Sequence, residues 1–392
     1  MKRLFAFTLV LVMMLSLCAC GGNAPADDNS SDTTTSTVEA TTTTTAGAAS
    51  TTTAGTTAAP TTTTTEAPTT TTPTKAPTTT STTEDDNSDW GNWEDPLPPE
   101  TTTTAVDNRP EIKILSIGHS FSVDAMHTYM PELFHAAGYK ATIGYLYYPG
   151  CSLERQYHYI TENRPQYERY AKSVDNGGWD TQYNVRAITA LYDEDWDIVT
   201  FQPSPDYGAG TMTYDCSWGC NKKVNDYDHF NYLVSYVKTL LTSKNNPQGP
   251  NTDVKFYYHL TWAFSEDCDL WSYGLYHKND QMNMYDAFWA ATKKYVVPNK
   301  NILGVIPCIT SVQNARTSFM GDTLNEPDGY HLNDKGDLLA AMTWVAYFTG
   351  KDAMDFKIGC RYSDAEYAAI AEAVDNAIKT PEAITESTHK GA

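Results

Sequence analysis

The sequence predicts a three-layer α/β/α sandwich with a mainly parallel sheet in a flavodoxin-like strand order. From residue 108 to the C-terminus, short apolar runs alternate with segments of helical periodicity. Such alternation is typical of parallel strands joined by crossover helices that cover both faces of the sheet. Residues 108–392 are also numerous enough to bury one sizeable core, so we expect a single domain.

Five apolar runs predict the strands, at residues 112–117, 141–148, 196–201, 254–260 and 302–306. Apolar residues at helical spacing predict helices over 121–137, 226–241, 279–295 and 335–348. Gly138 and Gly350 follow the first and last of these helices, where glycine commonly ends a helix. Ser363-Asp364-Ala365-Glu366 is typical of a capping box and predicts a C-terminal helix.

The first 107 residues are predicted to lie outside this domain. The apolar run 5–17 follows a basic start, as in an export signal. Ala19-Cys20-Gly21 then resembles a bacterial lipoprotein cleavage site, which indicates a signal peptide over 1–19 and lipidation of Cys20; an ordinary secretory signal is the alternative. Residues 20–107 are dominated by Thr and cannot bury enough apolar surface to fold, so they predict a disordered linker. We therefore expect a domain tethered at the bacterial cell surface, anchored to the membrane by lipid.

Charge and cysteine content restrict the partners. The chain has 27 Lys and Arg against 48 Asp and Glu, a formal net charge of −21, and so acidic a surface repels nucleic acid. We expect a monomer that binds a neutral small ester or an acylated glycan.

Cys216 and Cys220 would close a small disulfide loop in an oxidising compartment, or remain free thiols. No second Cys or His pair with finger-like spacing follows, so no metal site is predicted.

Two short motifs supply the parts of a serine hydrolase. Gly118-His119-Ser120-Phe121-Ser122 follows the first predicted strand, and Asp328-Gly329-Tyr330-His331 precedes the last long helices. Ser120 would be the nucleophile, His331 the general base, and Asp328 the carboxylate that orients the imidazole. The alternatives are a serine that merely caps a helix, and a surface histidine in a turn.

Acyl transfer also needs donors for a developing oxyanion. Gly150 follows the second predicted strand and Gln202 follows the third. Because the carboxyl ends of parallel strands meet at one edge of a sheet, we expect the Ser120 and Gly150 N–H groups and the Gln202 amide to form the oxyanion hole. A turn glycine and a polar residue that ends a strand are the alternatives.

These blocks resemble the SGNH (GDSL-like) hydrolase superfamily, and in particular its bacterial DUF4886-like branch. Ser120 matches the first block, Gly150 the second, Gln202 the place of the third, and Asp328 with His331 the fifth. The resemblance covers about residues 111–350. It departs from the superfamily at His119, where an Asp is usual, and at Gln202, where an Asn is usual.

Four further side chains are candidate substrate contacts: His119, Arg155, Trp262 and Arg316. His119 adjoins the nucleophile, the two arginines could bind polar groups, and tryptophan stacks on sugar rings. Alternatively, His119 is a turn residue, the arginines form solvated ion pairs, and the tryptophan belongs to the core.

The predicted function is hydrolysis of acyl esters, such as acetyl groups, on a carbohydrate, with no cofactor. An acyltransferase with the same triad, or a non-catalytic glycan-binding surface domain, are the alternatives. Product analysis with an added alcohol acceptor distinguishes the transferase, and glycan binding without serine-dependent turnover distinguishes the binding domain.

Overall fold

The computed structural model describes residues 107–216, 222–273 and 280–391. A seven-stranded sheet lies within them. Its strands are β1 (Glu111–Gly118), β2 (Lys140–Tyr147), β3 (Tyr167–Val174), β4 (Trp179–Val185), β5 (Ile198–Phe201), β8 (Lys255–His259) and β9 (Ile302–Ile306). Their order across the sheet is β4-β3-β2-β1-β5-β8-β9. Two short strands, β6 (Tyr214–Asp215) and β7 (Lys223–Val224), form a separate ribbon.

Five of the strands are parallel neighbours in the order β2-β1-β5-β8-β9. This is the flavodoxin-like order, so the predicted fold class and all five predicted strands are confirmed. β1 pairs with β2 on one side and with β5 on the other. The chain therefore reverses its direction of travel across the sheet at β1, and ligands of such folds bind at the carboxyl ends of the strands at this point.

Helices form two groups. The helices are α1 (Ser120–Met126), α2 (Met130–Ala136), α3 (Leu153–Thr161), α4 (Ala187–Leu191), α5 (Phe230–Leu241), α6 (Gln281–Ala291), α7 (Cys308–Arg316), α8 (Asp334–Thr349) and α9 (Asp364–Lys379). α8 packs against α1, α2, α7 and α9, whereas α3 packs against α4 and α5. None of the helices in the described ranges is long and apolar enough to cross a membrane.

The helix predicted over 121–137 is instead two helices, α1 and α2, with a break at 127–129. Pro131 explains the break, because it lies in the first turn of α2, has no N–H to donate, and clashes with a preceding helical turn. The helix predicted from 226 begins only at Phe230. Asp226 is buried and accepts a hydrogen bond from the Ser204 N–H at 2.9 Å.

The antiparallel hairpin of β3 and β4 was not predicted, and it extends the parallel sheet beyond β2. Asp175 and Asn176 in its turn have φ of 46° and 58°. The Asp-Asn-Gly-Gly sequence at 175–178 was the signal for this turn.

Other local predictions are confirmed. Gly350 ends α8 with φ of 67°, and Ser363 begins α9 with a complete capping box.

Cys216 is disulfide-bonded, and its predicted partner Cys220 lies outside the described residues. The predicted signal peptide, Cys20 and the Thr-rich linker also lie outside them, apart from residue 107.

Candidate active site

Ser120 is the first residue of α1 and lies two residues beyond the end of β1. The N-cap is not Ser120 but His119, whose Nδ1 accepts a hydrogen bond from the Phe121 N–H at 3.3 Å. The alternative in which Ser120 caps the helix is therefore wrong. Its hydroxyl is left at the carboxyl edge of the sheet, where the fold places ligand sites.

His331 and Asp328 form a hydrogen-bonded pair in the loop before α8. His331 Nδ1 and Asp328 Oδ2 are 2.7 Å apart. Asp328 Oδ1 also accepts from the backbone N–H groups of Tyr330 and His331, each at 3.0 Å. With Nδ1 donating to the carboxylate, the lone pair of a neutral His331 is on Nε2, which can accept a proton.

Electrostatics in the pair favour its charged forms. Burial opposes ionisation of Asp328, but the His331 hydrogen bond and the two backbone donors outweigh it and hold the pKa of the carboxyl below its ordinary value. Burial likewise opposes the charged imidazole, but the Asp328 hydrogen bond and the charge of Asp124 raise the pKa of His331 above 6.5. The imidazolium that would form during catalysis is thus stabilised.

Phe121 brings the helix that begins at Ser120 and the loop of His331 together. Its ring stacks on Trp262 at 4.4 Å between centroids and meets the His331 ring edge-on at 5.8 Å. Within the described residues, Ser120 makes no hydrogen bond to His331. In unliganded enzymes this catalytic hydrogen bond is often long and tightens only when substrate binds.

Gln202 follows β5 and is buried beside the end of β1. Its Oε1 accepts a short hydrogen bond from Ser122 Oγ, which also contacts Ser116 Oγ at 2.8 Å. Its Nε2 has no hydrogen-bond partner among the described residues. Since a buried amide donor is normally satisfied, this N–H group is available to an oxygen of a ligand.

Gly118 makes room for this amide. A Cβ at Gly118 would lie 2.5 Å from Cδ and Oε1 of Gln202 and 2.5 Å from Ser122 Oγ. A side chain here would push Gln202 away from the end of β1, so the glycine of the first motif has a steric role.

His119 connects the first motif to the Gln202 loop. Its ring is fully buried, and its Nε2 lies 2.8 Å from the Pro203 carbonyl oxygen. Burial lowers the pKa of His119 to about 3, so the ring is neutral and Nε2 carries the proton that it donates. Both ring nitrogens are engaged within the fold, and the predicted contact of His119 with substrate remains a prediction.

Gly150 lies in the turn after β2 with φ of 53°, a conformation that favours glycine. The Tyr148 N–H donates to the Gly118 carbonyl at 3.3 Å, which holds this turn beside the end of β1. The structure therefore brings the Gly150 turn, the Ser120 helix and the Gln202 loop to one edge of the sheet.

The other predicted substrate contacts have different surroundings. Trp262 is fully buried and donates from Nε1 to the Tyr330 carbonyl at 2.8 Å. Arg316 Nε lies 2.7 Å from Asp322 Oδ1, and its side chain is 4% exposed. Trp262 thus contacts the Asp328–His331 loop, whereas Arg316 contacts the segment before it, at Asp322 and Asn325. Their contact with substrate remains a prediction.

Arg155 differs from these two residues because it is only partly buried. Its guanidinium lies 5.1 Å from the centroid of the Tyr148 ring. Its predicted contact with substrate also remains a prediction.

Sequence reasoning missed two carboxyl groups, Asp124 and Asp337. Asp124 lies one turn after Ser120 on α1, and its Oδ2 accepts from the Leu332 N–H at 3.2 Å. Burial raises the pKa of Asp124 to about 7. Burial and the charge of Asp124 raise the pKa of Asp337, on α8, to about 9. The four-residue spacing between Ser120 and Asp124 places both on the same face of the helix. That Asp337 lies near Asp124 follows only from the packing of the two helices.

Comparison with known proteins identifies the family. The model of DUF4886, a domain of unknown function, matches residues 113–375. A DUF4886 family protein from Bacteroides uniformis ATCC 8492 is 31% identical with a TM-score of 0.61, over 70% of this chain and 98% of that one. A GDSL-like lipase candidate from Parabacteroides merdae ATCC 43184 is 13% identical with a TM-score of 0.32, over 62% and 97% of the two chains. No curated protein matches the chain. The match over most of the folded region shows that the chain belongs to the DUF4886 family.

Proposed function

We propose that this protein is a serine ester hydrolase of the SGNH type. The observation that carries the proposal is the 2.7 Å hydrogen bond between His331 and Asp328 in a loop that contacts the Ser120 helix through Phe121. This arrangement supports the roles of Ser120 as nucleophile, His331 as base and Asp328 as orienting carboxylate.

In the proposed reaction, Ser120 Oγ attacks the ester carbonyl carbon and His331 Nε2 takes the hydroxyl proton. The tetrahedral oxyanion is held by the N–H groups of Ser120 and Gly150 and by Gln202 Nε2. His331 then gives its proton to the leaving alcohol as the ester C–O bond breaks, which leaves Ser120 acylated. Water, deprotonated by His331, then attacks the acyl carbon. The bond from that carbon to Ser120 Oγ breaks, His331 returns the proton to Oγ, and the carboxylic acid leaves.

The proposed substrate is an acyl ester, such as an acetyl ester, of a carbohydrate. An aromatic side chain at the carboxyl edge of the sheet supports this choice, because aromatic rings pack on the faces of sugar rings; Tyr148, which is only partly buried, is the example. We further propose that the protein acts as a monomer at the bacterial cell surface, anchored through a lipid on Cys20. An acylated glycan there would meet the tethered domain.

The test is hydrolysis of p-nitrophenyl acetate and acetylated xylan by purified protein. Ser120→Ala is expected to lower kcat/KM by about 10³-fold or more, because it removes the nucleophile. Ser235→Ala, an exposed change on α5, is the matched control and should hydrolyse both esters like wild type. Unchanged turnover in folded Ser120→Ala would refute the proposal.

A further inference from the structure

The sheet register aligns four residues in one row across four strands at its carboxyl edge. Gly118 of β1 pairs with Tyr147 of β2, Tyr147 with Arg169 of β3, and Arg169 with Tyr183 of β4. Neighbouring strands are ~4.8 Å apart, so the backbone of Arg169 lies about 10 Å from Gly118. Gly118 comes two residues before Ser120, which puts Arg169 within a sugar unit or two of the proposed reaction centre.

Arg169 lies on aromatic rings, and none of the carboxylates in the described ranges pairs with it. Its guanidinium carbon is 4.4 Å from the Tyr147 ring centroid and 5.8 Å from that of Tyr145. Its Nε is buried without a hydrogen-bond partner, and within the described residues the side chain forms no ion pair. Glu168 precedes it in the strand and therefore points to the opposite face.

Several other arginines in the described ranges are paired with carboxylates, although Arg186 is not. Arg109 pairs with Asp107 and Asp175, and Arg361 pairs with Asp334. With 48 Asp and Glu in the sequence, carboxylates are abundant. The Arg169 guanidinium lies beside the proposed cleft and is not paired with a carboxylate of the described residues, so it can bind an anion from outside the chain.

We propose that Arg169 and Tyr147 form a subsite that binds a carboxylate group of the substrate. The planar guanidinium offers paired N–H donors that match the two oxygens of a carboxylate, and the Tyr147 ring fixes its plane. Tyr183, 69% exposed and next in the row, adds an aromatic face beside it. This inference rests on the proposed esterase function and deepens it, because it makes the substrate an ester of an acidic glycan.

A carboxylate could come from a uronic acid unit or from a dicarboxylic acyl group. The separation of about 10 Å from Gly118 favours the uronic acid, since a short acyl chain held at Ser120 does not reach across two strands. The two sources share one chemistry at Arg169, and separate ligands distinguish them.

The test measures binding by calorimetry to the full chain carrying Ser120→Ala, so that hydrolysis cannot interfere. The ligands are a trimer of galacturonate, the neutral trimer of galactose, and glutarate. The acidic trimer should bind about 10-fold more tightly than the neutral one, since a charge-assisted hydrogen bond contributes a factor of this order. Tight binding of glutarate instead would support the subsite and assign the carboxylate to the acyl group.

The variants are Arg169→Gln, Arg169→Lys and the matched control Arg186→Gln, whose native side chain is exposed and donates to the Asn163 carbonyl. Arg169→Gln should lose the preference for carboxylate, and Arg169→Lys should keep part of it because the charge remains. Arg186→Gln should bind like the parent. If Arg169→Gln does not fold, the preference for the acidic trimer is compared between the parent and Arg169→Lys at increasing NaCl concentrations.

Equal binding of the acidic and neutral trimers, or an unchanged preference in folded Arg169→Gln, would overturn the subsite. Failure of the esterase proposal gives a different result. In that case wild type does not hydrolyse p-nitrophenyl acetate, while binding of the carboxylate to Ser120→Ala is still lost with Arg169.

Discussion

His331 Nδ1 and Asp328 Oδ2 are joined by a hydrogen bond of 2.7 Å, and this bond decides which ring nitrogen can act as a base. Two backbone N–H groups hold the other oxygen of Asp328. The carboxylate therefore cannot rotate freely, and the imidazole keeps Nε2 available for a proton.

Asp328→Asn should lower kcat by about 10²–10⁴-fold, because the amide no longer stabilises the imidazolium or fixes its tautomer. The measurement is steady-state hydrolysis of p-nitrophenyl acetate. Asp253→Asn, an exposed change of the same kind, should leave kcat unchanged. Equal kcat for Asp328→Asn and wild type would mean that the pair is not part of the reaction.

The pH profile should have an acid limb set by His331. Because its pKa is raised above 6.5, the base is protonated and inactive below that pKa, so kcat/KM should fall as the pH drops through a value above 6.5. Asp124→Asn removes a negative charge that raises the pKa of His331, so the limb should move to lower pH. The measurement is the pH dependence of kcat/KM for wild type, Asp124→Asn and the exposed control Asp253→Asn. An acid limb at the same pH in Asp124→Asn and wild type would show that Asp124 does not influence the pKa of His331.

Gly118→Ala should lower both stability and activity. The new Cβ would lie 2.5 Å from the Gln202 amide, and overpacking of this kind costs about 1–3 kcal/mol. Gly359→Ala is the matched control, because a Cβ there meets no atom within 4 Å. Urea unfolding and ester hydrolysis measure the two effects. A Gly118→Ala protein as stable and active as the control would show that Gln202 has room to move.

Gln202→Leu should lower kcat by about 10²–10³-fold with a smaller change in KM, the expected result of losing one oxyanion donor. Gln248→Leu, on the exposed surface, provides the comparison. A change confined to KM would indicate that Gln202 binds the ground state and not the oxyanion.

Asp337 should make stability depend on pH. Its pKa is raised to about 9 in the folded chain from an ordinary 3.8, so the folded state binds the proton more tightly than the unfolded state. The resulting stabilisation is full below pH 3.8 and is lost as pH rises through about 9. Between pH 6 and pH 9, Asp337→Asn should therefore gain about 3–4 kcal/mol of stability relative to wild type, measured by urea unfolding. Equal pH dependence in both proteins would contradict the burial of this carboxyl.

Strands could be predicted because they are short runs rich in apolar residues, as at 302–306, where predicted and observed limits coincide. Ser120, Gly150 and Gln202 could be placed at one edge because parallel strands end together. The β3–β4 hairpin escaped prediction because β4 is mostly exposed and its residues alternate weakly. Asp124 and Asp337 escaped it because their meeting depends on how α1 packs on α8, which no local pattern encodes.

The most direct test of the central claim is covalent labelling of the nucleophile. A fluorophosphonate reacts with a serine that a neighbouring base activates, and intact-mass and peptide mass spectrometry locate the adduct. The account predicts one adduct on Ser120 in the full chain, lost in Ser120→Ala and slowed at least about 100-fold in His331→Ala, since general-base assistance is of that size. Labelling at another serine, or none in a folded protein, would contradict it.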